Sequence, residues 1–168
     1  LKAAWAAAAA LALSACAANP PINSRPPYAA PPALPVAPPV PTQPDPRIMI
    51  VDAASAMIGQ PYRFGGAAPG GFDCSGLVVY AAGGAGIHVP RTAHEQLNFG
   101  AAIGRAELAP GDLVFMHLQH KELHVGIAIG GDRFIHAPSS GGRVRIDSLA
   151  APPYSKGYLG ARRIIVAH

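Results

Sequence analysis

Cysteine is scarce in this chain: 168 residues carry two, Cys16 and Cys74. Two cysteines make no disulfide framework, so any folded part must hold together by its core. Charge is also thin, with 13% Asp, Glu, Lys and Arg, and aromatic residues reach only 7%. No run of like charges exceeds the pair Arg162–Arg163. Outside the N-terminus no apolar run is long enough to cross a bilayer, which excludes a polytopic membrane protein. No repeat recurs at solenoid periods. The length allows one domain, with no room for a dinucleotide-binding domain beside a substrate domain.

What is abundant is uneven. The first 46 residues hold 15 Ala and 12 Pro, neither of which builds a core. The remaining 122 residues, Arg47 to His168, suffice for one compact domain. That part carries 11 Lys and Arg against 8 Asp and Glu, a mild excess of three positive charges. Such an excess serves solubility, or weak attraction to an anionic partner such as cell wall or lipid headgroups.

Lys2 followed by the apolar stretch Ala3–Leu13 reads as the n- and h-regions of a signal peptide over residues 1–15. The chain opens on Leu1 rather than Met, which points to a non-standard start or a trimmed sequence. Leu13-Ser14-Ala15-Cys16 resembles the lipobox of bacterial lipoproteins, which implies a diacylglycerol on the Cys16 thiol. Ala17 in place of Asp resembles lipoproteins sent to the outer membrane, so the expected location is lipid-anchored there, facing the periplasm. Export argues against a nucleic-acid partner. Residues 16–46 form the lipidated N-terminus and a Pro-rich tether. Asn19–Pro46 alone has 28 residues with 12 Pro, and extended as polyproline II at ~3.1 Å per residue it could reach about 80 Å. With Cys16 acylated, Cys74 is left as an unpaired thiol in an exported protein, which asks for a reason.

From residue 47 the pattern is that of a folded domain, 47–168. Asp45-Pro46 is an N-cap followed by proline at the first helical position. Ile48, Val51, Ala54 and Ile58 recur at helical spacing until Gly59. A Gly-rich loop, Gln60 to Asp73, leads into a second helix from Cys74 to about Ala82. Thr92 and Glu95 have capping-box spacing, which predicts a short helix over 92–98. Beyond Pro110-Gly111 come five β-rich runs: Asp112–Met116, His124–Ile129, Arg133–Ala137, Val144–Ile146 and Ala161–Val166. Helices first and strands after predict an α+β fold, N-terminal helices packed on an antiparallel sheet of about five strands.

Cys74 opens a helix, where free N–H groups and the helix dipole favour a thiolate and lower its pKa below the free value of about 8.5. The competing reading is a small buried core residue. A lone cysteine becomes a nucleophile when a histidine and an orienting group can reach it. In His124-Val-Gly-Ile-Ala-Ile129 the residues Val125, Ile127 and Ile129 take one face, and His124, Gly126 and Ala128 the other. A three-residue loop, 130–132, would pair Ile129 with Arg133, set His136 opposite Gly126, and bring both imidazoles onto one face. A two-residue loop would separate them.

Tyr62-Arg63-Phe64-Gly65-Gly66, Asp73-Cys74-Ser75-Gly76, Pro90-Arg91-Thr92 with Gln96, Pro110-Gly111-Asp112-Leu113-Val114, His124-Val125-Gly126-Ile127 and His136-Ala137 occur in this order. The series resembles the NlpC-type cell-wall cysteine peptidases over essentially all of residues 47–168. With the lipobox and the tail Tyr154…Tyr158…Ala161-Arg162-Arg163, it looks most like the Spr (MepS-like) murein endopeptidase lipoproteins. The resemblance implies a papain-like fold, with Cys74 as nucleophile, His124 as general base and His136 as its orienter. It implies that the Cys74 N–H and the Tyr62 hydroxyl hold the oxyanion, Tyr62 as a plain core aromatic being the alternative. Asp73 and Ser75 either meet substrate or shape the loop. Arg91 either holds the region of the second helix or meets a stem-peptide carboxylate. The implied partner is peptidoglycan, cut at D-Ala–diaminopimelate cross-links or at D-glutamyl–diamino-acid bonds, by a monomer needing no cofactor and no metal.

Rival readings exist. His117, His120 and His124, near Glu122 and Asp112, have spacing suited to a zinc hydrolase. Strands on either side make 117–123 a hairpin loop instead. A non-catalytic wall-binding lipoprotein and an acyl-transferring relative are the others.

Overall fold

The computed structural model describes residues 44–118, 122–139 and 142–165. The lipobox, Cys16, most of the tether and His120 lie outside the described residues.

Helix α1, Pro46–Ser55, begins where Asp45 accepts the Arg47 backbone N–H at 2.9 Å. Its buried face is Ile50 and Ala54, with Ala53 and Met57 packed beside them. The expected stripe shares only Ala54 with that face: Ile48 and Ile58 are exposed. Ile48, Met49, Ile50 and Val51 are apolar in succession, so the sequence leaves the phase of this short helix to the partner it packs on. A two-residue hairpin, β1 (Ala67–Ala68) and β2 (Gly71–Phe72), folds the Gly-rich loop. Helix α2, Cys74–Gly84, then packs against α1, with Leu77, Val78, Ala81 and Ala82 buried. Helix α3, Ala93–Leu97, carries the expected capping box: Thr92 Oγ1 accepts the Glu95 N–H, and Glu95 Oε2 accepts the Thr92 N–H at 3.1 Å.

The remaining strands are β3 (Ala101–Ile103), β4 (Leu113–His117), β5 (Leu123–Gly130), β6 (Arg133–His136), β7 (Arg145–Ser148) and β8 (Tyr158–Arg163), with the one-turn helix α4 (Tyr154–Gly157) before β8. They form one antiparallel sheet in the order β3-β8-β4-β5-β6-β7. The sheet therefore has six strands rather than about five; β3, too short to show alternation, is the addition. The predicted run 144–146 becomes β7, one to two residues later. The last strand starts three residues earlier than predicted.

Two apolar layers result. Leu113, Phe115, Val125, Ile127 and Ile135 face α1 and α2 with Leu77 and Phe72. Val114, Met116, Ala128, Phe134 and Ala161 form the other side with Tyr154 and Leu149. Each fully buried large side chain contributes about 1.5–3 kcal/mol relative to exposure, so the helix-facing layer dominates the stability of the domain.

Candidate active site

Sheet register decides whether the two histidines meet. The turn between β5 and β6 is Gly131-Asp132, two residues, and Gly130 pairs with Arg133. The expected pairing of Ile129 with Arg133 does not occur. Taken alone, that turn would throw the imidazoles to opposite faces. A bulge at Ile129 inserts one extra residue, after which Ala128 pairs with Phe134 and Ile127 with Ile135. The bulge restores the parity that a three-residue loop would have given. His136 continues that register to lie beside Gly126.

The consequence is a direct contact: His124 Nε2 and His136 Nδ1 are 2.7 Å apart, with both rings buried. Gly126 makes room for it. A Cβ there would stand 2.5 Å from Phe134 Cδ2, 3.0 Å from the Ile135 carbonyl oxygen and 3.2 Å from His136 Cβ. Burial pushes the His124 pKa down to about 3, and the neighbouring His136 and Arg145 act the same way. Burial lowers His136 too, against the Asp147 carboxylate that draws it upward. Both imidazoles are therefore neutral at physiological pH.

Cys74 is the first residue of α2, and α2 packs on β5. The backbone N–H groups of Val125 and Ser75 act on its sulfur, which places the thiol at Val125, near the start of β5. The expected lowering of its pKa does not occur. Burial pushes the thiol up, and the carboxylates of Asp73 and Glu122 add to this. Burial is the larger cause, and the cap adds to it. Asp73 Oδ1 accepts the Gly76 N–H at 2.6 Å, so the helix end that should favour a thiolate is already neutralised by a carboxylate. Among the described residues no hydrogen bond joins the Cys74 sulfur to either imidazole. Such contacts are commonly loose in a resting enzyme and tighten with substrate.

Asp73, Ser75 and Arg91 form one cluster. Arg91 is bidentate on Asp73, at 3.0 Å to Oδ1 and 2.6 Å to Oδ2, and donates to Ser75 Oγ at 3.0 Å. Asp73 Oδ2 also accepts the Gly65 N–H at 3.0 Å. Burial works against the Asp73 charge, but the Arg91 bonds and the Gly76 N–H hold its carboxyl below the usual range. Of the roles left open for Arg91 and Asp73, this geometry supports the holding one: they tie the Gly-rich loop to the start of α2. Gln96, fully buried, adds a bond from Nε2 to the Ser75 carbonyl at 3.1 Å. Tyr62 is half-buried beside this cluster, and burial, then Cys74 and Asp73, raise its pKa. Its hydroxyl stays protonated and able to donate.

The zinc arrangement fails on register. Met116 pairs with His124 and His117 with Leu123, so His117 and His124 project from opposite faces of the sheet. His120 lies outside the described residues.

Three residues of the site escaped the sequence reading as chemistry. Asp147 Oδ2 is 2.8 Å from His136 Nε2, and Arg145 and Tyr154 both bond the same oxygen. The only signal was the alternation Arg145-Ile146-Asp147, which sets two charged side chains on the face that carries His136.

Comparison with known proteins is consistent throughout. The model of the NlpC/P60 family matches residues 59–163. Murein DD-endopeptidase MepH of Escherichia coli is 46% identical over 114 residues, 64% of this chain and 42% of that protein. The E. coli murein DD-endopeptidase MepS/murein LD-carboxypeptidase is 38% identical over 122 residues, 72% of this chain and 64% of that protein. The chain thus spans between two fifths and two thirds of these relatives. Among solved structures, the peptidoglycan hydrolase RipB of Mycobacterium tuberculosis superposes with a TM-score of 0.63 at 29% identity, covering 73% of this chain and 66% of that one.

Proposed function

Because the chain belongs to the NlpC/P60 family, with that family's α+β papain-like fold, we infer that it is a cysteine peptidase that hydrolyses amide bonds in the peptides of peptidoglycan. The relatives named murein endopeptidases and peptidoglycan hydrolase support the substrate class. The observation that carries the reading is the buried imidazole contact at 2.7 Å between His136 of β6 and His124 of β5, the strand on which the helix opened by Cys74 packs.

The proposed steps follow from the protonation states. Thiol and imidazole both rest neutral, so the reaction begins with general-base attack rather than from a stored ion pair. His124 uses Nε2 for His136, which leaves Nδ1 to take the thiol proton as the sulfur adds to the carbonyl. The Cys74 N–H and the Tyr62 hydroxyl stabilise the oxyanion. The imidazolium then returns its proton to the leaving amine, and water releases the acyl group from sulfur.

D-Ala–diaminopimelate cross-links are the bond favoured by the likeness to murein DD-endopeptidases, with D-glutamyl–diamino-acid bonds as the alternative. The sequence further supports a signal peptide over 1–15, an acylated Cys16, and a tether to residue 46 that lets a monomeric domain reach the wall from the outer membrane. Digestion of purified sacculi with mass identification of the fragments tests the function. New fragments ending at one bond type support it and name the bond; intact sacculi, or acyl transfer without hydrolysis, would contradict it.

A further inference from the structure

The hydrogen bonds of the imidazole pair run on to the edge of the sheet. Asp147, on edge strand β7, sets Oδ2 at 2.8 Å from His136 Nε2. The same oxygen accepts from Arg145 Nε at 2.8 Å and from the Tyr154 hydroxyl at 2.7 Å. Three donors on three elements or positions converge on one carboxylate oxygen. Phe134 and Tyr154 pack on the His136 ring with centroids 4.7 and 5.3 Å away, which fixes its plane.

We propose that Asp147 is a positioning residue that sets the tautomers of both imidazoles, so that His124 presents a bare Nδ1 as proton acceptor. The polarity of the chain follows link by link. A carboxylate only accepts, so His136 Nε2 carries the hydrogen. A neutral imidazole has one N–H, so His136 Nδ1 is bare. Across 2.7 Å a bare nitrogen needs a donor, so His124 Nε2 carries its hydrogen and His124 Nδ1 holds the lone pair. The groups facing His136 are Asp147 and Arg145 of β7, Tyr154 of α4, and His124 of β5; burial of the two rings and the Arg145 guanidinium keep both imidazoles neutral. Without Asp147 the Nε2 hydrogen has no acceptor, and both rings can flip to the tautomer that blocks His124 Nδ1. The proposal gives the general base of the peptidase reading its direction, and rests on that reading for its catalytic meaning.

Two-bond nitrogen–proton correlation spectra of the full chain with labelled histidine read the tautomers directly, and the wild-type spectrum needs no variant. Nε2–H on both rings is expected, turning to a mixture or to Nδ1–H in Asp147→Ala. Removing an orienting partner typically costs 10–100-fold, so kcat on a purified muropeptide should fall by about that factor with KM little changed. Asp147→Asn, whose amide oxygen can accept from the same three donors, should restore the tautomers and most of the rate. Wild-type tautomers in Asp147→Ala, or Nδ1–H on His136 of the wild type, would overturn the proposal. If the tautomers behave as stated while wild-type protein cleaves no muropeptide, the positioning role stands and the peptidase reading falls.

Discussion

At the residue scale, the site runs on neutral groups placed close together, and this has measurable effects. Burial raises the Cys74 thiol, so its alkylation by iodoacetamide should climb with pH and reach half its maximum above the ordinary thiol value; a rate already saturated below neutral pH would show a stored thiolate–imidazolium pair instead. The histidines tie stability to pH. Both are held neutral in the folded chain, His124 down to about pH 3, whereas unfolded they protonate near 6.5. Below about 6.5 the unfolded chain binds more protons, so stability is complete above that pH and falls as pH drops towards the folded value, by at most about 1.4 kcal/mol per pH unit for each ring. Urea midpoints should therefore fall between about pH 7 and about pH 5, before carboxylates titrate, and a flat profile there would contradict the buried neutral pair. Tyr62 reports on the oxyanion. Loss of one such donor costs about 10²–10³-fold in kcat, so Tyr62→Phe should slow muropeptide cleavage by roughly that factor while the thermal midpoint moves little. An unchanged rate would make Tyr62 a core aromatic.

At the element scale, the β5–β6 hairpin is the device that makes the site. Gly126→Ala would drive a methyl into Phe134, the Ile135 carbonyl and His136, and overpacking of this kind costs about 1–3 kcal/mol. Activity should fall further than stability, because the displaced strand carries His136; a variant with full activity would show that the imidazole contact is dispensable. The same hairpin marks the limit of sequence reading. Alternation in His124–Ile129 told which residues share a face, and even spacing told that the histidines could meet. The turn length was wrong, since a two-residue turn plus a bulge and a three-residue loop give the same parity beyond the turn. Two caps were legible because each is a local contract between a side chain and nearby N–H groups: Asp45 and Thr92 both cap as placed. The phase of α1, strand β3 and helix α4 were not, because they depend on what packs against them. The pKa of Cys74 was misjudged for a related reason. Burial of the thiol outweighs the helix end, and Asp73, which caps that end, brings a negative charge of its own. Asp147 is remote in sequence from both Cys74 and His124, and only the β6–β7 register brings it to His136.

At the scale of the whole molecule, the described residues bury a core of their own. A chain starting at Arg47 should fold and cleave isolated wall. Native protein should sediment with membranes, and Cys16→Ala should release it; a mature N-terminus elsewhere, without acyl mass, would contradict the anchor. The claim on which everything else depends is that a thiol performs the hydrolysis. It is tested most directly by following muropeptide release from purified sacculi with the wild-type chain and with Cys74→Ala, confirming by circular dichroism that the variant folds. The substitution removes one sulfur at the start of a helix whose buried residues are Leu77, Val78, Ala81 and Ala82, so the fold should be kept. The account predicts that Cys74→Ala releases no fragments; release at the wild-type rate by that folded variant would contradict it.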